Sequence, residues 1–579
     1  MPDKVSTTRY NQAPKFFGKG RTRFDLSHSI LTTGNTGDLI VTMCEPVVPG
    51  ATISLRTSSL TRLETSLHQT LDNAYVETAY FFVPSRCLWK NFDKYQGFNQ
   101  DAWARTLEFK KPQYCFYAAT SDGKEETIPD FGDMVLPHSL INDLYAPIGK
   151  YNQIAYLDEK KYDQFFHVDL LPLRAVFKIY NEYFRDQNYD SELYWSDDGN
   201  DMCLYDESEV TESGVVFNSG YFEPSKGRLK VNRFKDVFST ALPQPQKGDP
   251  ISVKLTSGSA PVGILNGSSS VFTFLGGTDT VSTAATAVGN FGQMSVTSDP
   301  GVKIVSDLSN QGISINDLRI AIALQSMRER DARSGNRLNE KLYGTWHIQA
   351  NNLELDRAEY LGGKRIPVTM MEVLQTSETG NTVLGSDAGH SKTFDTDDSF
   401  VRTFTQWGYV IGFIWVRTSR SYSQGIDRKF FVQDILDEYD PMLDNISEQP
   451  IYKKELNAVL DPAGGGNTVA KGNKVFGYQE AWYQYKERLN RFSGMFQPEI
   501  SGNIASWHYG DNYTDLNDKP AEVFAGPAWL KEGPENVDRT IAVASGASLA
   551  SYQWMFNLHF VLYSTFEASK HSIPNTFGF

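Results

Sequence analysis

The residue types that perform chemistry are present in this chain, but they are not grouped for it. Nine histidines stand at 28, 68, 138, 167, 347, 390, 508, 559 and 571. None lies three or four positions from another, so the paired imidazoles of an HExxH zinc helix are absent. Cys44, Cys87, Cys115 and Cys203 include no CxxC pair, which removes zinc ribbons and thioredoxin-like redox motifs. No G-x-S-x-G nucleophile elbow occurs. The Gly-Lys pairs at 18, 123, 149 and 363 each lack the earlier glycine of a phosphate-cradling loop. Gly464-Gly465-Gly466 fits a flexible turn better than a dinucleotide loop. Asp197-Asp198-Gly199-Asn200-Asp201 looks like a cation loop, but its glycine is out of place for an EF-hand. A solvated acidic loop is the simpler reading. Seventy acids supply many pairs that glycoside hydrolysis could use, yet abundance places no two of them together. The pattern predicts no catalytic set, no metal site, no cofactor and no enzyme.

One cluster of charge is directional. Residues 1–23 carry Lys4, Arg9, Lys15, Lys19, Arg21 and Arg23 against Asp3 alone. That segment holds +5 in a chain of net charge −15. Pro14, Gly18 and Gly20 predict an extended arm rather than a helix. A frayed terminus would have little use for Phe16 and Phe17, so these two are expected to dock the arm. Lys15, Lys19, Arg21 and Arg23 are expected to face a polyanion. The remainder of the chain is acidic and would not bind nucleic acid over its whole surface. A second basic run, Arg328 to Arg337, is interrupted by Glu329 and Asp331. A salt-bridged helix face explains it more simply than a nucleic-acid patch.

The elements that must position these groups are mostly strands. With 579 residues, 40% hydrophobic and 22% charged, the chain can bury a sizeable core and general disorder is excluded. Aromatic residues reach 13%, which favours β-structure and large contact surfaces. Residues 38–43, 74–83 and 409–417 read as strands. From Trp554 to Tyr563 large apolar residues alternate with others, the period of a half-buried strand. These strands lie far apart in sequence, so the loops between them are long. Helices are few. Leu173, Phe177, Tyr180 and Phe184 predict one over 169–185, with Pro172 in its first turn and Asp169 or a nearby residue as a cap. A second is expected over 316–343, starting at Asn316 and broken near Gly335. Trp482, Tyr485, Leu489 and Phe492 predict a third over 476–493.

Two stretches change composition. Residues 186–223 hold eleven acids and no Lys or Arg, and residues 251–300 hold only Lys254, Asp279 and Asp299 as charges among many Ser, Thr and Gly. The second stretch suits an exposed tip or a subunit contact. The N-terminus lacks the apolar core of a signal peptide, and no run of about 18 apolar residues exists for membrane insertion. The cysteines are expected to be reduced and buried.

Several ordered strings carry a family resemblance. Leu171–Asn188 (LPLRAVFKIYNEYFRDQN) closely resembles the helix motif of microvirus major capsid proteins of the gokushovirus-like branch. Phe24–His28, Asp72-Asn73, Tyr75–Pro84, Arg86–Trp89, Glu359–Gly363, Tyr422–Gly425 and Phe476–Gln479 are similar to the same family, in the same order. The likeness runs from about residue 16 to the C-terminal strand and thins between about 189 and 310. It implies a mainly β fold: an eight-stranded antiparallel viral jelly roll with long loop insertions and a few helices. The implied layout is a basic arm over 1–23, core over 24–188, a variable insertion over 189–310 forming a threefold spike, and core again over 311–579. It implies a major capsid protein whose pentamers build a T=1 icosahedral shell of about 60 copies around circular single-stranded DNA in a bacteriophage virion. Assembly would take place in the bacterial host cytoplasm. Implied partners are the DNA genome, a small basic DNA-packaging protein, an internal scaffolding protein, a pilot protein and the host cell surface. The rival class on residues alone is a carbohydrate-binding or glycoside-hydrolysing β-sandwich.

Overall fold

A computed structural model of the chain describes residues 20–96, 111–118, 138–145, 151–154, 166–193, 210–211, 214–215, 227–248, 262–266, 302–306, 315–334, 337–348, 356–374, 387–433, 435–444, 446–458, 474–513, 526–541 and 552–570. The frame is built from β1 (Arg21–Asp25), β2 (His28–Gly34), β3 (Ile40–Val47), β4 (Thr52–Leu63), β5 (Ala74–Pro84), β6 (Glu359–Pro367), β7 (Thr393–Thr403), β8 (Gly408–Thr418) and β9 (Trp554–Glu567). They form two antiparallel sheets. In the first, β9 is flanked by β1 and β2 on one side and by β4 then β7 on the other. In the second the order is β6-β5-β8-β3. The fold is mainly β, as expected.

The period of each strand decides how many of its faces are covered. On β9 the even positions Trp554, Phe556, Leu558, Phe560 and Leu562 are buried, while Asn557 and His559 are exposed. On β4, Ile53, Leu55 and Leu63 turn inward with them. These residues meet Val76, Tyr80 and Phe82 of β5 and Val410, Ile414 and Val416 of β8 in one apolar layer between the sheets. Thr57 on β4 hydrogen-bonds the Tyr80 hydroxyl across that layer at 2.6 Å. Strands β5 and β8 are buried on nearly every residue, the mark of a sheet covered on both sides. Their other face, with Phe81, Val83, Ile411, Phe413 and Trp415, packs on α1 (Leu171–Ile179) through Leu173, Val176 and Phe177. The N-cap position is Leu170, without a side-chain cap; the Asp169 carboxylate, one residue before it, accepts from the Leu171 N–H at 3.0 Å. A π-helical turn, Tyr180–Phe184, extends this helix. There Asn181 exchanges hydrogen bonds with Leu193, and the Tyr183 hydroxyl donates to the Ala358 carbonyl at 2.6 Å.

The chain divides into two compact units, Met1–Pro245 with Gly335–Phe579, and Gln246–Ser334. Residues 227–245, inside the span expected as an insertion, belong to the first: Leu229 and Val231 join the core on α1, and Val237, Phe238 and Ala241 a third apolar cluster. The second unit contains the antiparallel pair Val262–Asn266 and Val302–Ser306, and α2 (Ile315–Ser334). Arg330 lies 3.6 Å from Asp331 there, and Gln325 donates to Glu329 at 2.8 Å. In the first unit, α3 (Leu338–Trp346) follows near the expected break. Most of the acidic and low-charge stretches, Asp197 to Asp201 included, lie outside the described residues.

The helix expected over 476–493 does not form. Val475–Glu480 is a strand paired with Glu448–Tyr452, and only Tyr483–Lys486 makes a helical turn. Trp482 has φ 66°, outside the right-handed region, and Glu487 is extended. The members of the aromatic stripe part company: Trp482 is buried and donates to the Leu443 carbonyl, Phe492 is half-buried against His508, and Tyr485 is exposed.

An ionic cluster pins the loops of the first unit. Arg420, fully enclosed, bridges Asp511 and Glu532. Asp511 also takes a hydrogen bond from Arg233 at 2.8 Å and from Asn536 at 2.8 Å, and Glu532 one from Thr418 at 2.8 Å. Gly37 allows the close approach beside it: a Cβ there would stand 2.1 Å from the Glu532 carbonyl oxygen. Burial raises the Asp511 carboxyl, but the charges of Arg420 and Arg233 outweigh it and hold it far below its ordinary value. A depressed carboxylate stabilises the fold above its unfolded pKa, and that contribution is lost as pH falls below about 4. Asp511→Asn should therefore cost about 3–5 kcal/mol at neutral pH, because it strands buried arginine charge. It should also flatten the loss of stability between about pH 4 and pH 2, as read by urea unfolding across pH.

Candidate functional site

No cleft with convergent nucleophile and base emerges among the described residues. No group of three or more His, Cys, Asp or Glu is placed there to hold a metal, and no helix there is long and apolar enough to cross a membrane. Burial pushes the Cys44 thiol up to about 12 and the Cys87 thiol up to about 11, which makes both poor nucleophiles. The structure instead presents surfaces that are rigid, apolar and uncovered.

The clearest lies on residues 426–446. Three short 3-10 turns, Arg428–Phe430, Ile435–Asp437 and Pro441–Leu443, set its path. Proline at 441 and the Asp440 carboxylate, which accepts from the Met442 N–H at 2.7 Å, fix the last of them. The segment is held from behind. Arg428 donates to the Pro450 carbonyl at 2.6 Å and to Glu455 at 3.2 Å. The Ile426 N–H donates to the Lys454 carbonyl at 2.9 Å. Tyr439 packs edge-on against Trp482, ring centroids 5.7 Å apart. Glu455 also accepts from the Tyr483 hydroxyl, and burial raises its carboxyl above the ordinary value despite Arg428.

What this scaffold turns outward is apolar. Met442 is 89% exposed, Ile435 84% and Phe430 67%. Ile426, Val432 and Ile446 are exposed beside them. An anchored loop has little freedom to fold such groups away, so their burial against another surface gains apolar area at small conformational cost. The sequence reading missed this surface. Its signal was weak: Ile426, Phe430, Val432, Ile435 and Met442 scattered among Asp and Pro with neither helical nor strand period.

The residues singled out from the sequence are only partly on view. Lys15, Phe16, Phe17 and Lys19 lie outside the described residues. Arg21 and Arg23 are in strand β1, paired with Glu567 and Thr565 of β9. Arg21 donates to the Gly50 carbonyl at 2.7 Å and to the Thr52 hydroxyl at 3.0 Å. The Arg23 guanidinium lies 3.6 Å from the centre of the Tyr563 ring. Both therefore present fixed charge on the sheet.

Replacing Met442 and Ile435 by Asp should leave the unfolding midpoint of the isolated chain within about 0.5 kcal/mol, since both side chains are in solvent. Self-association should fall by at least about tenfold if this surface is buried in it, measured by analytical ultracentrifugation.

Comparison with known proteins identifies the family. The family "Capsid protein (F protein)" matches residues 18–565. Capsid protein VP1 of Spiroplasma virus 4 is 30% identical over 569 residues, covering 93% of this chain and 92% of the relative. Capsid protein VP1 of Chlamydia phage 1 is 28% identical, covering 88% and 90%, and that of Bdellovibrio phage phiMH2K is 28% identical, covering 85% and 86%. The match spans both sheets of the sandwich and nearly the full length of each relative, so this chain belongs to the phage capsid protein (F protein) family and is a microvirus major capsid protein, structural rather than enzymatic.

Proposed function

We propose that the sandwich is a viral jelly roll and that about 60 copies close a T=1 icosahedral shell around circular single-stranded DNA. The single observation that carries this is strand order. Strands 20 to 34 residues from the start pair with the final strand, and consecutive strands β4 and β5 fall in opposite sheets. Four positions per sheet, filled by chain segments that change sheet at every step except β5 to β6, fit a jelly roll. The doubled first strand, β1 with β2, fills one position along β9.

Shell closure needs unlike patches to meet around the fivefold and threefold axes. The rigid apolar surface of 426–446 supplies one of them. The second unit, Gln246–Ser334, is the better candidate for the threefold protrusion than the whole of 189–310, because residues 227–245 pack into the core. The same protrusion is available for contact with the host cell surface. The basic arm would face the interior, with Lys15, Lys19, Arg21 and Arg23 toward DNA and Phe16 and Phe17 docked on the shell. Because the arm alone cannot neutralise a genome, a small basic packaging protein fits as a partner. Internal scaffolding and pilot proteins, and assembly in the bacterial cytoplasm, follow the same reading. A carbohydrate-active sandwich finds no favouring observation.

Sixty chains of 65.1 kDa weigh about 3.9 MDa. Electron microscopy and light scattering of the chain expressed with its phage's small proteins should find particles of that mass; only monomers or small oligomers would overturn the reading. Deletion of residues 2–19 spares β1 and should lower packaged DNA without loss of shells. In binding assays it should also reduce the salt dependence by about 0.7 per lost phosphate contact. Unchanged packaging and unchanged salt dependence would count against the arm's role.

A further inference from the structure

Helix α2 carries its apolar stripe outward. Ala321, Gln325, Glu329 and Ala332 follow one another at helical spacing and share one side of it. That side is the covered one: Ala332 is buried and the other three are half-buried. Polar contacts hold it within its own unit, since Gln325 donates to the Gln246 carboxamide oxygen and to Glu329 at 2.8 Å. Ile320, Ala323, Leu324 and Met327 recur at the i, i+3, i+4, i+7 spacing of a core-facing stripe. Yet Ile320 is 50% exposed, Leu324 41% and Met327 44%, with Ala323 exposed among them.

The charges on the open side are arginines. Arg319 and Arg330 flank the stripe and are exposed, whereas Glu329 and Asp331 are half-buried. Arg330, 3.6 Å from Asp331, keeps 44% of its side chain in solvent. Over the whole helix four arginines stand against Asp317, Glu329 and Asp331. The anchored surface at 426–446 has the opposite sign. It holds six acids, Asp427, Asp434, Asp437, Glu438, Asp440 and Asp444, against Arg428 and Lys429, and Arg428 is turned back onto Glu455. Glu438, Asp440 and Asp444 are exposed next to Ile435 and Met442 along the chain.

We propose that α2 of one copy docks by this stripe on the 426–446 surface of a second copy, with Arg319 and Arg330 toward the acids. The proposal deepens the reading of a shell of identical subunits and rests on it. Apolar anchors at i, i+4 and i+7 laid on a rigid apolar surface are a common mode of helix recognition. Charge selects among the pairings. Two α2 stripes face to face would bring arginines together, and two 426–446 surfaces would bring acids together, each at a loss of affinity. The unlike pairing sets opposite signs at the rim, where they fix partner and register. A contact between unlike faces is also the kind that closes a ring about an axis. Two turns of helix make a small interface, weak in a single pair. It gains strength when many copies engage together.

The test is cross-linking between two full-length variants, Leu324→Cys and Met442→Cys, mixed as subunits and oxidised with copper-phenanthroline. Both sites are exposed, so each variant should fold as the parent does. The parent chain sets the background from its native cysteines. The mixture should give a disulfide-linked dimer that neither variant gives alone. Dimers from Leu324→Cys alone would mean that α2 pairs with itself, and dimers from Met442→Cys alone that the loop surface does; either result without mixed dimers would overturn the proposal. A link formed only inside single chains carrying both cysteines would overturn it too. Charge reversal is the second measurement. Arg319→Glu with Arg330→Glu should lower particle yield by about tenfold, and adding Glu438→Arg with Asp444→Arg in the same chain should recover most of it. No recovery, in chains whose unfolding midpoints match the parent, would overturn the pairing. Parent particles without mixed dimers would sink this contact and leave the shell reading standing. A parent chain that never forms particles would sink the shell reading itself.

Discussion

The apolar layer between the two sheets is the constraint from which the rest follows. Phe556, Leu558, Phe560 and Leu562 of the last strand have no other place to leave water than against β5 and β8. Each fully buried side chain of this kind contributes about 1.5–3 kcal/mol. Because β9 is also the partner of β1 and β2, the layer forms only when the two ends of a 579-residue chain meet. Long loop closure is the entropic cost of that arrangement. In return, the loops between strands are free to carry surfaces without disturbing the frame.

Those surfaces stay rigid because charge and apolar contacts act on different parts of the fold. The core is held by area. The loops are held by enclosed ion pairs such as Arg420 with Asp511 and Glu532, and the second sheet carries a buried carboxylate of its own, Glu77 of β5, which receives Arg417 at 2.6 Å and Trp415 at 2.6 Å and also pairs with Arg365. Burial raises that carboxyl, and the two arginines more than offset the effect, leaving it below its ordinary value. Enclosed pairs of this kind are sensitive to geometry, so they favour one loop arrangement over its neighbours. A subunit that must match copies of itself needs such definition at its surface.

The acidic balance of the chain fits the same function. Net negative charge keeps separate subunits and finished particles from clumping, while exposed apolar patches such as 426–446 are open to specific attraction where shapes agree.

Much of this was legible in the residues. Alternation at 554–563 announced a half-buried strand because a pleated backbone sends every second side chain to one face. The run at 409–417, apolar up to Arg417, read as a buried strand, and β8 is one. The missing catalytic patterns and the ordered family strings pointed to a structural role. The helix expected over 476–493 failed because helical spacing records only that aromatic residues are to be buried. Trp482 found burial, and Phe492 partial cover, through tertiary partners no local pattern contains, while Tyr485 stayed exposed. The exposed apolar surface at 426–446 was invisible for the converse reason: its apolar groups are uncovered only because turns anchored to Glu455, Pro450 and Trp482 hold them out. Composition and period thus determined which segments become strands and which faces seek cover. Only the folded chain decided which faces remain open, because that depends on what residues hundreds of positions away bring against them.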